Sequence, residues 1–90
     1  MHLLALDIGN SNIKVGLFDV NRLIRLWRIQ TDTSSPTAVK TQVSQFLRME
    51  MPQELTPTHL VYCTVVPTFE SLIVSTAQDV CSIPDTNVLP

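Results

Sequence analysis

Three short apolar-rich runs near the start of the chain are separated by polar turns; apolar residues then recur every three or four positions, and a continuous apolar run follows. The first two runs, Leu3-Leu4-Ala5-Leu6 and Ile13 to Phe18, flank the polar segment Asp7-Ile8-Gly9-Asn10-Ser11-Asn12. That order predicts strand, tight turn, strand. The second strand reads from Ile13 to Asp19, Val20-Asn21 supplies turn chemistry, and Leu23 to Ile29 reads as a third strand. Three strands with short connections predict an antiparallel meander. In the third, alternation puts Arg25 and Trp27 on one face and Leu26 and Arg28 on the other. An arginine on each face predicts an edge strand.

The pattern changes after the polar break Thr31-Asp32-Thr33-Ser34-Ser35. Ser35 followed by Pro36 is a helix start, with serine as the N-cap and proline at the first helical position. Val39, Val43, Phe46 and Leu47 then mark a helical stripe through the segment from Thr37 to Met49. Pro52 and Pro57 bracket a loop. His59 to Val66 is apolar almost throughout, which predicts a strand buried on both faces. Thr68, after Pro67, is placed to cap a second helix with Phe69, Leu72, Ile73 and Val80 facing inward. Pro84 ends it, and Asn87-Val88-Leu89 opens another strand.

A helix between two strands implies a right-handed crossover and parallel pairing. The expected class is therefore α/β with a mixed sheet, a three-strand antiparallel meander followed by βαβαβ. A last strand with no helix to cover it leaves an apolar face open. The reading is a piece of a longer protein, incomplete at the C-terminus within its fifth strand.

Composition sharpens this picture. Of 90 residues, 44% are apolar and only 16% charged, against about 25% charged in an average chain. Surfaces covered by further chain or by a partner are expected. The net charge is −2 and the six basic residues are scattered, so nucleic-acid binding is not indicated. No apolar run approaches the ~20 residues that span a bilayer, and Met1 is not followed by a secretory n-region. A soluble, cytoplasmic protein with no membrane partner is the expectation. Cys63 and Cys81 match neither a metal spacing nor a redox pair and read as two buried free thiols. His2 and His59 read as structural, and Phe46, Met49 and Met51 as core or subunit contact.

Candidate chemistry gathers at the first turn. A glycine among short side chains lets backbone N–H groups approach an anion closely. The Asp7 carboxylate beside it could hold a hard cation such as Mg²⁺. The same residues serve equally in a plain hairpin, where Asp and Asn are favoured for local hydrogen bonds. The turn alone leaves both readings open.

With the rest of the chain, the pattern resembles a family. The element order is similar to the first half-domain of the actin, sugar-kinase and chaperone ATPase superfamily, whose fold is ribonuclease H-like. Asp7-Ile8-Gly9-Asn10-Ser11-Asn12, Trp27-Arg28-Ile29-Gln30-Thr31-Asp32 and Thr64-Val65-Val66-Pro67 together resemble type III pantothenate kinase. The resemblance implies that residues 1–90 are the amino-terminal half-domain of a two-domain, homodimeric kinase. It implies transfer of the ATP γ-phosphoryl group to pantothenate, an opening step of coenzyme A synthesis, with Mg²⁺ and a monovalent cation, potassium or ammonium.

In that scheme the phosphate-binding turn comprises Asp7, Ile8, Gly9, Asn10, Ser11, Asn12, Ile13 and Lys14, and Asp7 sits at the metal–phosphate group. Lys14 is either a cleft charge or a solvated lysine. Arg28 and Thr31 either reach the cleft or are an edge-strand arginine and a loop threonine. Thr64 ends a strand near the ligand crevice. The family's Gly-x-Asp-Arg motif, whose Asp acts as base toward the substrate hydroxyl, is absent, because no glycine follows Gly16. No catalytic residue is therefore assigned in this chain, which alone is expected to be inactive. A catalytically inactive nucleotide-binding or regulatory module, or another actin-like ATPase, remain the alternatives.

Overall fold

Leu4, Leu6 and Ile8 alternate with Leu3, Ala5 and Asp7 along the first strand, and that alternation decides which side of the sheet is buried. The computed structural model describes residues 1–31 and 35–89; Asp32, Thr33 and Ser34 of the polar break, and Pro90, lie outside the described residues. The strands are β1 (His2–Ile8), β2 (Asn12–Asp19), β3 (Arg22–Gln30), β4 (His59–Thr64) and β5 (Val88–Leu89). They form one sheet in the order β3-β2-β1-β4-β5. β1 to β3 make the antiparallel meander, while β4 runs parallel to β1 and β5 parallel to β4. β3 is an edge strand, as an arginine on each face implies.

The helices are α1 (Pro36–Glu50) and α2 (Pro67–Cys81). Ser35 caps α1 through its Oγ, which accepts from the Ala38 N–H at 3.3 Å, and Pro36 occupies the first turn. Val39, Val43 and Leu47 of α1 and Ile73, Val74, Ala77 and Cys81 of α2 share one core with Leu4, Leu6, Ile8, Ile13, Val15 and Leu60 of the sheet. Phe46 meets Trp27 of β3 edge-on, with ring centroids 5.7 Å apart and planes at 81°. A single 3₁₀ turn, Gln53–Leu55, lies between the two loop prolines. The Thr58 N–H then donates to the His2 carbonyl at 3.0 Å, aligning the start of β4 with that of β1.

Both helices cover the same face, and this corrects two expectations. β4 is not buried on both faces: Leu60 is its one fully buried residue, and Cys63 is exposed. Both crossovers run in the same direction across the sheet, and right-handedness puts both on one side. Of the two free thiols only Cys81 is buried, since Cys63 points to the uncovered face. Of the three side chains expected as core or subunit contact, Phe46 and Met51 pack against the core and Met49 is 79% exposed.

The cap of α2 also differs. Val66, not Thr68, is the N-cap and gives no side-chain hydrogen bond, because Pro67 takes the first helical position and leaves Thr68 inside the first turn. Thr64 Oγ1 instead accepts from the Val66 N–H at 2.9 Å and fixes the entry to the helix. At the other end Ser82 adopts a left-handed conformation, φ 56°, and the Ile83 N–H closes back on the Gln78 carbonyl at 3.0 Å. That is the geometry of a helix stop usually filled by glycine.

Candidate functional site

Three segments meet at the C-terminal ends of β1 and β4. The turn between β1 and β2 closes on itself through the Gly9 N–H, which donates to the Asn12 carbonyl at 2.9 Å. The Thr31 N–H, at the end of β3, donates to the Ser11 carbonyl at 3.0 Å. From the loop before α2, the Val65 N–H donates to the Ile8 carbonyl at 3.0 Å. Each of the three sequence blocks that carry the resemblance thus contributes to one small region. The side chains of Asn10 and Ser11 are exposed there, and those of Ile8 and Ile13 are buried beneath them.

Gly9 serves the turn through closeness. It does not have a positive φ, so the left-handed freedom of glycine is not used. A Cβ at this position would stand 3.1 Å from the Asn12 carbonyl oxygen, tighter than an ordinary contact, and would push the turn open.

Asp7 lies on the uncovered face, on the alternate parity from Leu6 and Ile8. Its register partners are Lys14 in β2 and Cys63 in β4, and the partner of Lys14 is Arg28 in β3. Cys63, Asp7, Lys14 and Arg28 therefore form a row across four strands, all four exposed. Three of them, Cys63, Asp7 and Lys14, border an open hollow of about 480 Å³ floored by Ala5, Gly16, Phe18, Leu26 and Val61. The Cys63 thiol donates to Asp7 Oδ1 at 3.4 Å. That hydrogen bond, with desolvation and the charge of Asp7 as lesser causes, raises the thiol above its ordinary pKa.

Lys14 and Arg28 lie on the face that carries Asp7. Thr31 is placed differently: its Oγ1 is buried and has no hydrogen-bond partner among the described residues. It adjoins a cavity of about 10 Å³ shared with Gly9, Val39, Val66 and Phe69, beneath the turn. Thr64 spends its hydroxyl on the Val66 N–H. Sequence reasoning missed Cys63 beside Asp7; 56 residues separate them, and only the parallel register brings them together.

Among the described residues no group of three or more His, Cys, Asp or Glu could hold a metal ion by itself. A cation at Asp7 would have one carboxylate from this chain, with phosphate oxygens and water for the rest. That donor set suits Mg²⁺, which keeps several waters and takes one or two carboxylates beside substrate phosphates. Among the described residues no helix is long and apolar enough to cross a membrane.

The mixed sheet, its strand order and the two helices on one face define a ribonuclease H-like α/β fold. RuvC from Thermus thermophilus superposes with a TM-score of 0.64 at 15% identity, covering 98% of this chain and 59% of that one. A ROK hexokinase from Thermus thermophilus superposes at 0.63 and 19% identity, covering 100% of this chain and 33% of that one. At such identities the likeness is one of fold. The model of the type III pantothenate kinase family matches residues 3–89, and the chain belongs to that family. Type III pantothenate kinases of Geotalea daltonii and Desulfotalea psychrophila are each 35% identical over 72 residues, covering 79% and 77% of this chain. That of Citrifermentans bemidjiense is 56% identical over 32 residues, 36% of this chain and 13% of its own length. The two longer alignments span 28% and 26% of those relatives.

Proposed function

We propose that the complete protein transfers the γ-phosphoryl group of ATP to the hydroxyl of pantothenate, and that this chain supplies the phosphate end of the ATP site. The observation that carries the proposal is the meeting of Asp7, Lys14 and the turn Gly9–Asn12 at the strand ends, in a member of the type III pantothenate kinase family. Ligands in sheets of this kind sit outside the carboxyl ends of the strands.

Phosphoryl transfer asks the protein mainly for position and charge. Asp7 would hold Mg²⁺, which would supply positive charge against the phosphate oxygens. Lys14 places a compact positive charge one strand away. The exposed side chains of Asn10 and Ser11, with the half-buried Asn12, fix the phosphate chain, and the Gly9 contact keeps the turn narrow enough for them to converge. Activation of the pantothenate hydroxyl falls to a base outside these 90 residues. The monovalent cation and the homodimer belong to the same proposal, and the open hollow leaves room for further chain or a second subunit to close the site. A cytoplasmic location follows from a role in coenzyme A synthesis.

The test is to incubate the purified complete protein with Mg²⁺-ATP and pantothenate and follow products by mass spectrometry. The proposal expects phosphorylated pantothenate with stoichiometric ADP. ADP formed at the same rate without pantothenate, and no phosphorylated product, would overturn it.

A further inference from the structure

Asp7 sits on a central strand between two different neighbours. On the β2 side stands Lys14, its direct register partner; on the β4 side stands Cys63, whose thiol reaches Oδ1 at 3.4 Å. All three are exposed at the charged end of the same hollow. Apart from Tyr62, whose hydroxyl is engaged with Glu70, the other residues that line the hollow are apolar or glycine.

An aspartate in this position has two places to go. A carboxylate directly opposite a lysine across an antiparallel pair gains from the opposite charge. If Asp7 turned to Lys14, each would cancel the charge that the other offers to a cation or to phosphate. The hydrogen bond from Cys63 opposes that turn. It occupies Oδ1 from the far side and leaves the other oxygen for a cation.

We propose that Cys63 is a positioning residue: its thiol holds the Asp7 carboxylate away from Lys14 and in place to take a divalent cation. The inference rests on the reading of Asp7 as the carboxylate for Mg²⁺-ATP. Cys63 itself does not touch nucleotide or metal in this scheme. Its contribution is to make the cation site ready before ATP arrives, so its loss shows in metal dependence more than in turnover at saturation.

The experiment uses the complete protein as wild type, Cys63→Ala, Cys63→Ser and Asp7→Asn. The Mg²⁺ concentration for half-maximal activity is measured at fixed ATP, and ATP affinity is measured by calorimetry with and without Mg²⁺. Cys63→Ala is expected to raise the Mg²⁺ requirement roughly three- to tenfold, in proportion to loss of one weak charged hydrogen bond. It should weaken ATP binding only when Mg²⁺ is present and leave kcat at saturating Mg²⁺ and the KM for pantothenate near wild type. Cys63→Ser keeps a donor and is expected to restore the wild-type metal dependence. An infrared difference spectrum between wild type and Cys63→Ala isolates the thiol band, which should move toward that of a free thiol in Asp7→Asn.

If Cys63→Ala matches wild type in both Mg²⁺ dependence and calorimetry while Asp7→Asn is inactive, the positioning role is wrong and the reading of Asp7 stands. If Asp7→Asn is fully active, the reading of Asp7 fails and the inference with it. Equal loss in the alanine and serine variants overturns the inference too, since it marks a need for sulfur or for shape.

Discussion

Lys14 stands directly opposite Asp7 in the β1–β2 pairing, and both lie on the sheet face that neither helix covers. A carboxylate for a cation and an ammonium for phosphate are thus held one strand apart by backbone register. Replacing Lys14 with Ala should raise the KM for ATP roughly ten- to hundredfold, the worth of one hydrogen bond to a charged group. The KM for pantothenate should move much less. Steady-state kinetics with each substrate varied in turn gives the answer, and an unchanged KM for ATP returns Lys14 to the role of a solvated lysine.

The edge strand β3 is held to α1 through one aromatic pair, Trp27 and Phe46, at 5.7 Å and near a right angle. The Arg25 guanidinium lies 5.0 Å over the Trp27 ring and covers it from solvent. A double-mutant cycle of Trp27→Leu and Phe46→Ala should show a coupling of about 0.5–1.5 kcal/mol in unfolding free energy. Additive losses would mean that the two rings only share a boundary.

Val20 has φ 56° and is 62% exposed. A β-branched residue in the left-handed region is strained by about 1–2 kcal/mol, and its side chain gains little burial in return. Val20→Asn, which tolerates this conformation, should raise stability by about 1 kcal/mol. The urea midpoint checks this, and a lower midpoint would contradict the strained turn.

Burial pushes the Cys81 thiol up from 9.0 to about 11. The folded state thus keeps the proton longer than the unfolded state does. Its contribution is fully present below pH 9 and is lost as pH rises from about 9 to 11, by roughly 2 kcal/mol in all. Cys81→Ala should flatten that alkaline decline in denaturation midpoints across the same window, although the cavity it leaves lowers stability at every pH. A decline of equal slope in the variant would assign the alkaline loss to other groups.

Much of the fold was legible because its local rules agree with one another. The apolar runs of β1 and β2 on either side of a polar turn, the arginines on both faces of β3 and the Ser35-Pro36 start of α1 each carry their own physical signal. What stayed hidden depends on where whole elements go. The apolar run of β4 looks the same whether one face or both are covered, and only the hand of the crossovers leaves Cys63 bare. Likewise, Thr68 is a good cap by type, but Pro67 before it takes the first helical position and sets the helix start two residues earlier. At the site, Asp7 and the turn were visible in the chain itself. The face of Lys14 follows from its parity with Asp7 in the hairpin register, and the neighbour Cys63 could be found only from the parallel pairing.

The central claim is that Asp7 organises the cation and phosphates of ATP, and turnover by an Asp7→Asn variant of the complete protein tests it most directly. Removing that charge should cost roughly a thousandfold or more in kcat with pantothenate, while the thermal midpoint stays near wild type because Asp7 is exposed and outside the core. A folded variant within about threefold of wild-type kcat would contradict the account and leave Asp7 as a turn former.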